Sequence, residues 1–208
     1  MENRTSESVV LWCRFGNCSQ IDPRQRRRLG FPFPQSAQFG FLVHTPVAAA
    51  PHLTLSNRIF ERTLRAQPRG VEIPVVREGS FFSGDRTFLG VPAGEGVRVS
   101  LRAYDPWVHL PTPTTNLVLI RVSVQTLAGD ELGSFELRPQ ILNPEGPAVD
   151  YYKPGIAMVH DLAAVVPAVA AHERVHIRVS AQPAQAQYYG MVAVTDNETQ
   201  TVSIISAQ

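Results

Sequence analysis

The chain reads as an all-β protein: a two-layer antiparallel β-sandwich behind a poorly ordered N-terminal leader. Three observations predict this. Apolar and polar residues alternate with a period of two through much of residues 53–208, the signature of strands covered on one side. The 17 Pro and 14 Gly punctuate the chain into short segments, which suits many brief strands better than long helices. The segments so delimited number eight or nine, the usual content of a sandwich.

The elements follow in order. Val71-Glu72-Ile73-Pro74-Val75-Val76 is extended, and Pro74, which cannot donate to a ladder, places that strand at an edge. Val97, Val99, Leu101 and Ala103 alternate with Arg98, Ser100, Arg102 and Tyr104. Ile120, Val122 and Val124 form one apolar face. The turn signal Ala128-Gly129-Asp130-Glu131 and a return arm carrying Phe135 and Leu137 complete a hairpin. Asp161–Ala171, DLAAVVPAVAA, is the exception: a short helix or a crossing loop, which Pro167 prevents from being one continuous helix. Val175, Ile177, Val179 and Ala181 alternate again. Val192 and Val194 face Val202 and Ile204 across a polar tip, Asp196-Asn197-Glu198-Thr199. The 156 residues from 53 to 208 suffice to bury about 70% of their unfolded surface without staples.

Residues 1–52 differ in kind. Residues 1–70 carry ten Arg against four acidic residues, a balance of +6, whereas residues 71–208 carry nine basic against fourteen acidic residues, a balance of −5. The run Arg24-Gln25-Arg26-Arg27-Arg28, the Pro-broken apolar stretch after it and the small residues near Ala48–Ala50 sketch an imperfect export segment, or simply a disordered leader. The Arg run has neither interleaved aromatics nor a reading helix, so no nucleic-acid partner is expected. No apolar run reaches the roughly 20 residues of a membrane-spanning helix. Cys13 and Cys18 are the only cysteines, and a lone C-x4-C lacks the second pair of a structural zinc site.

The sharpest motif is His172-Glu173-Arg174-Val175-His176, which satisfies H-E-x-x-H. On a helix, residues four apart lie about 6 Å apart on one face, so both imidazoles reach one zinc and the glutamate activates its water. In a strand the same spacing is about 13 Å, too far for two 2 Å metal bonds without unusual convergence. Residues 174–181 alternate as a strand, so no metal or cofactor is expected. The alternative is a zinc metallopeptidase with His172 and His176 as ligands and Glu173 as base. The pairs Asp130/Glu131 and Asp196/Glu198 fall at turn tips, where solvated carboxylates are ordinary. Asn197-Glu198-Thr199, like Asn3 and Asn17 in their contexts, also matches a glycosylation pattern too short to weigh.

Aromatic residues near strand ends are the better lead. Tyr104 and Trp107 belong to one Pro-rich connection, Tyr151 and Tyr152 to a second, and Phe81-Phe82 to a third. Such rings stack on sugars, anchor a protein partner, or plug the open ends of a sandwich.

The segments GDRTFLGVPAGEGVRVSLRAYDP (84–106), DLAAVVPAVAAHERVHIRVSA (161–181) and YYGMVAVTDNETQTVSIISAQ (188–208) resemble secreted bacterial β-sandwich domains of uncharacterised function, Ig-like or jelly-roll-like in outline. The resemblance spans most of 71–208 through loose strand patterns. It implies an extracytoplasmic or secreted location and a strand where H-E-x-x-H sits, and it brings no functional residue with it. The expected function is thus a non-enzymatic module that binds a glycan or a cell-envelope protein through Tyr104, Trp107, Tyr151 and Tyr152, or a purely structural domain.

Overall fold

A computed structural model describes residues 80–105, 118–141 and 155–208, together with short strands and isolated positions between 2 and 76. The chain divides into two compact units, Met1–Val75 and Val76–Gln208. In the first unit the described residues form short antiparallel pairs: 2–3 with 53–54, 9–10 with 20–21, 12–13 with 43–44, and 57–60 with 70–73. The expected leader, residues 1–52, lies for the most part outside the described residues, as does Pro74.

The second unit is the β-sandwich. Its strands are β1 (Phe82–Ser83), β2 (Arg86–Pro92), β3 (Val97–Asp105), β4 (Leu119–Gln125), β5 (Glu131–Leu137), β6 (Gln140–Ile141), β7 (Gly155–Val159), β8 (Arg174–Gln182), β9 (Gln187–Asp196) and β10 (Val202–Ser206). One sheet has the order β2-β8-β4-β5. The other runs β6-β7-β3-β9-β10, and β1 pairs with the start of β9. All the pairings are antiparallel.

Alternation decides what lies between the sheets. Val175, Ile177 and Val179 of β8, Ile120, Val122 and Val124 of β4 and Phe88 of β2 meet Leu101 of β3 and Tyr188 and Val192 of β9 in one buried cluster. Each such fully buried side chain contributes about 1.5–3 kcal/mol. At one side β5 passes into β6 with only Arg138 and Pro139 between them, so the chain switches sheets at a corner. At the other side Gln208 exchanges two backbone hydrogen bonds with Thr87 of β2, at 3.0 and 3.3 Å, which covers part of that edge.

Residues 161–171 form two short turns of helix, as Pro167 dictates. Asp161 caps α1 (Leu162–Val165) by accepting from the Ala163 N–H at 3.1 Å. Pro167 then opens a 3-10 turn, Pro167–Ala171. Leu162, Val166 and Val169 are buried in the core. A Cβ placed on Gly133 of β5 would lie 2.9 Å from Val166 Cγ1, so this close approach requires glycine.

One expectation about β9 and β10 needs correction. The C-terminal hairpin exists, but its register pairs Val192 with Ile205, Val194 with Ser203 and Thr195 with Val202. Val202 and Ile204 therefore share a face with Thr195 and Ala193, opposite to Val192 and Val194. The tip is longer than the four polar residues suggest. Asp196 donates its N–H to Thr201 O, Gln200 donates to Asp196 O, and Gln200 adopts φ 56°, which slips the return strand by one position. The outer side of β9 is covered as well: Met191, Ala193 and Thr195 are buried. They stand on a central strand between Arg102, Ser100 and Arg98 of β3 and Ser206, Ile204 and Val202 of β10.

Candidate functional site

The period of two that buries Leu101 and Ala103 turns Arg98, Ser100, Arg102 and Tyr104 to the outer face of the larger sheet. On β9 the adjacent Tyr188 and Tyr189 go opposite ways. Tyr188 enters the core, and Tyr189 stands outside, paired with Tyr104 across the ladder. Phe82 of β1 pairs with Tyr188 at the sheet's end and touches both tyrosines. The result is a row of three half-exposed rings. Tyr104 and Tyr189 have centroids 6.2 Å apart, tilted by 37°, and Tyr189 and Phe82 have centroids 5.5 Å apart, tilted by 31°. These separations fall within the favourable range for aromatic pairs.

The row is held from beneath. Tyr188 is fully buried, and its ring meets Phe82 edge-on at 5.8 Å. Its hydroxyl proton is shared between the carbonyl oxygens of Val179, at 2.9 Å, and Gly84, at 3.0 Å. Burial pushes its pKa up to about 12, with a smaller opposing pull from Arg86 and a slight rise from Asp85. The Arg86 guanidinium lies 5.4 Å from the Phe82 centroid, a cation–π contact. Tyr189 is also raised above the usual phenol value, first by burial and then by the neighbouring Tyr104. Its hydroxyl therefore stays protonated, able both to donate and to accept, at any physiological pH.

Of the sequence-predicted binding residues, Tyr104 stands in this row. Trp107, Tyr151 and Tyr152 lie outside the described residues. Register shows where their segments attach. Residues 106–117 leave from Asp105, and residues 142–154 arrive at Gly155, which is paired with Asp105. Both long connections thus meet the sheet at the end that carries Tyr104. Sequence reasoning noted Phe82 as a loop residue and overlooked Tyr189. The signal was the doublet Tyr188-Tyr189 at a strand start, which must place one ring on each face.

The H-E-x-x-H segment is not helical. His172 caps the end of the 3-10 turn in extended conformation, with φ −119° and ψ 137°, and β8 begins at Arg174. Opposite His176, β2 carries a bulge in which Leu89 and Gly90 face one residue, and Gly90 has φ 60°, a conformation natural to glycine. The motif's side chains secure this bulge. The Gly90 N–H donates to His176 Nδ1 at 3.0 Å, and Arg174 Nη1 donates to the Gly90 carbonyl at 3.2 Å. With Nδ1 accepting, the neutral imidazole carries its proton on Nε2. A zinc-bound histidine instead donates from the nitrogen that does not hold the metal. Glu173 is exposed, and its backbone carbonyl accepts from the Ala93 N–H at 2.8 Å. Among the described residues no group of three or more His, Cys, Asp or Glu is placed to hold a metal ion.

The turn-tip carboxylates serve their turns. Asp196 Oδ1 accepts from the N–H of Thr199 at 2.7 Å, the N–H of Glu198 at 3.0 Å and the Thr199 hydroxyl at 3.0 Å. These bonds, led by the Thr199 N–H, hold its pKa below the usual carboxylate value. Asn197 ties the tip to the β2–β3 turn, donating from Nδ2 to Glu95 O at 3.1 Å and from its backbone N–H to Gly96 O at 2.9 Å. In the β4–β5 turn, Thr126 Oγ1 accepts from the N–H groups of Ala128 and Asp130.

Comparison with known proteins gave no matching family model, no matching curated protein and no matching solved structure. Among the described residues no helix is long and apolar enough to cross a membrane.

Proposed function

We propose that the chain is a non-enzymatic β-sandwich module that binds a glycan at the aromatic end of its larger sheet. One observation carries this reading: Tyr104, Tyr189 and Phe82 form a row of half-exposed rings at the end where both long connections attach. Aromatic faces offer sugars a large apolar contact at small entropic cost, and the tyrosine hydroxyls supply hydrogen bonds at the rim. We propose Trp107, Tyr151 and Tyr152, from the two connections that join the sheet there, as further ligand contacts. An extracytoplasmic location, suggested by the resemblance over 84–106, 161–181 and 188–208, accords with such a ligand, and fractionation of producing cells tests it.

Binding is tested on the full chain with a glycan array and an affinity pull-down. The variants are Tyr104→Ala with Tyr189→Ala and, separately, Trp107→Ala. Wild type should retain a defined set of glycans, and the double variant should lose it. Glycan binding that survives in the double variant, or a wild type that captures only protein, refutes the platform as a sugar site.

A further inference from the structure

We infer that the glycan is anionic and that Arg102 receives its acidic group. This rests on the proposed glycan reading and adds the chemical class of the ligand. Arg102 stands two residues before Tyr104 on the outer face of β3, in register with Met158 on one side and Met191 on the other. Residues so spaced on one strand face lie roughly 7 Å apart, within the reach of a single sugar unit and its substituent. The side chain is half-buried among apolar neighbours, and its Nε is buried with no hydrogen-bond partner.

A guanidinium nitrogen shielded from water and unbonded is unfavourable unless something compensates it. Among the described residues, the outward positions of β3, β7, β9 and β10 carry two arginines, Arg98 and Arg102, and no carboxylate. Arg98 is exposed, whereas Arg102 stands beside the rings. A carboxylate or sulfate oxygen pair matches the planar donor fork of a guanidinium. An acidic sugar laid on Tyr104 and Tyr189 would bring such a group to Arg102.

The probes are uronic-acid tetrasaccharides of several linkages and the same tetrasaccharides with their carboxyls reduced to alcohols, titrated calorimetrically into the full chain. Wild type should prefer at least one acidic form roughly 10- to 100-fold over its reduced counterpart, the range for one charge-assisted contact. Arg102→Gln should abolish that preference, so that the acidic and reduced forms bind alike. Arg102→Lys, which keeps the charge without the fork, should retain part of it, and Arg98→Gln should retain nearly all. Thermal melts confirm that each variant is folded. Equal binding of acidic and reduced sugars by wild type, or a preference that survives Arg102→Gln, overturns the inference and leaves the aromatic platform standing. Failure of every sugar to bind overturns both.

Discussion

Replacing His176 with alanine separates the two meanings of the H-E-x-x-H segment. In the structure this imidazole accepts the Gly90 N–H across the bulge at 3.0 Å in a half-buried setting. Deleting it removes one hydrogen bond, a net loss of about 1 kcal/mol. The Gly90 N–H is then only partly reachable by water, which adds a fraction of the roughly 1–3 kcal/mol cost of an orphaned buried donor. Arg174 still holds the Gly90 carbonyl, so the bulge should persist. The expected destabilisation is about 1–2 kcal/mol, a fall of roughly 0.5–1 M in the urea midpoint at an ordinary m-value. His172→Ala removes a half-buried side chain that caps nothing, since the residue's bond to Val169 O is made by its backbone, and should cost about 0.5 kcal/mol or less. Equilibrium urea unfolding and elemental analysis of the purified full chain read both outcomes. Stoichiometric zinc lost equally from both variants, with His176→Ala as stable as wild type, would refute the bulge-bracing role and restore the peptidase reading.

Three further outcomes follow from the geometry. Tyr188 has a folded pKa of about 12 against about 10 unfolded, so its stabilisation is full below pH 10 and is lost as pH rises toward 12. The shift bounds this at about 2.7 kcal/mol; urea unfolding at pH 9 and 11 should show the fall, and Tyr188→Phe should remove it. Gly133→Ala should cost about 1–3 kcal/mol through its clash with Val166, and Val166→Ala should relieve part of that cost in a double-mutant cycle. Asp196→Ala should raise amide exchange across 196–201 without altering ligand binding; in wild type the loop's protection, present above the ordinary carboxylate pKa, should fade as pH drops through the lower folded value.

Much of the fold was legible because alternation is a local property. The pairing of Ile120 with Leu137 and of Val122 with Phe135 follows from residue types and the Ala128–Glu131 turn signal. The break at Pro167 was equally plain, since a ring that removes an N–H acts within its own turn. What escaped reading was non-local or depended on one residue's conformation. The left-handed Gln200 slips the last hairpin by one position, and nothing in a glutamine announces that. The Gly90 bulge became intelligible only with His176 and Arg174 opposite it, more than eighty residues away. The site was half-read for the same reason. Tyr104 stood out beside a Pro-rich connection, whereas Tyr189 gains its meaning from a ladder partner.

The two adjacent tyrosines of β9 bear on whether the aromatic end plugs the sandwich or serves it. A plug needs rings that are buried and whose polar atoms are satisfied by the protein, and Tyr188 meets both conditions: it is fully buried, and its hydroxyl is bonded to two carbonyls. Phe82 packs against the same core cluster and shares that task. Tyr189 and Tyr104 lie on the far side of the sheet from the core, half-exposed, with Arg102 next to them and no carboxylate among the described residues of that face. A merely solvated outer face would be expected to mix charges of both signs, as the smaller sheet does where Arg121 pairs with Glu136 and Arg178 with Asp85. The larger sheet departs from that pattern on the side where the aromatic row stands. One sign of charge beside a row of rings is the arrangement that a ligand of opposite sign and flat apolar faces would complete.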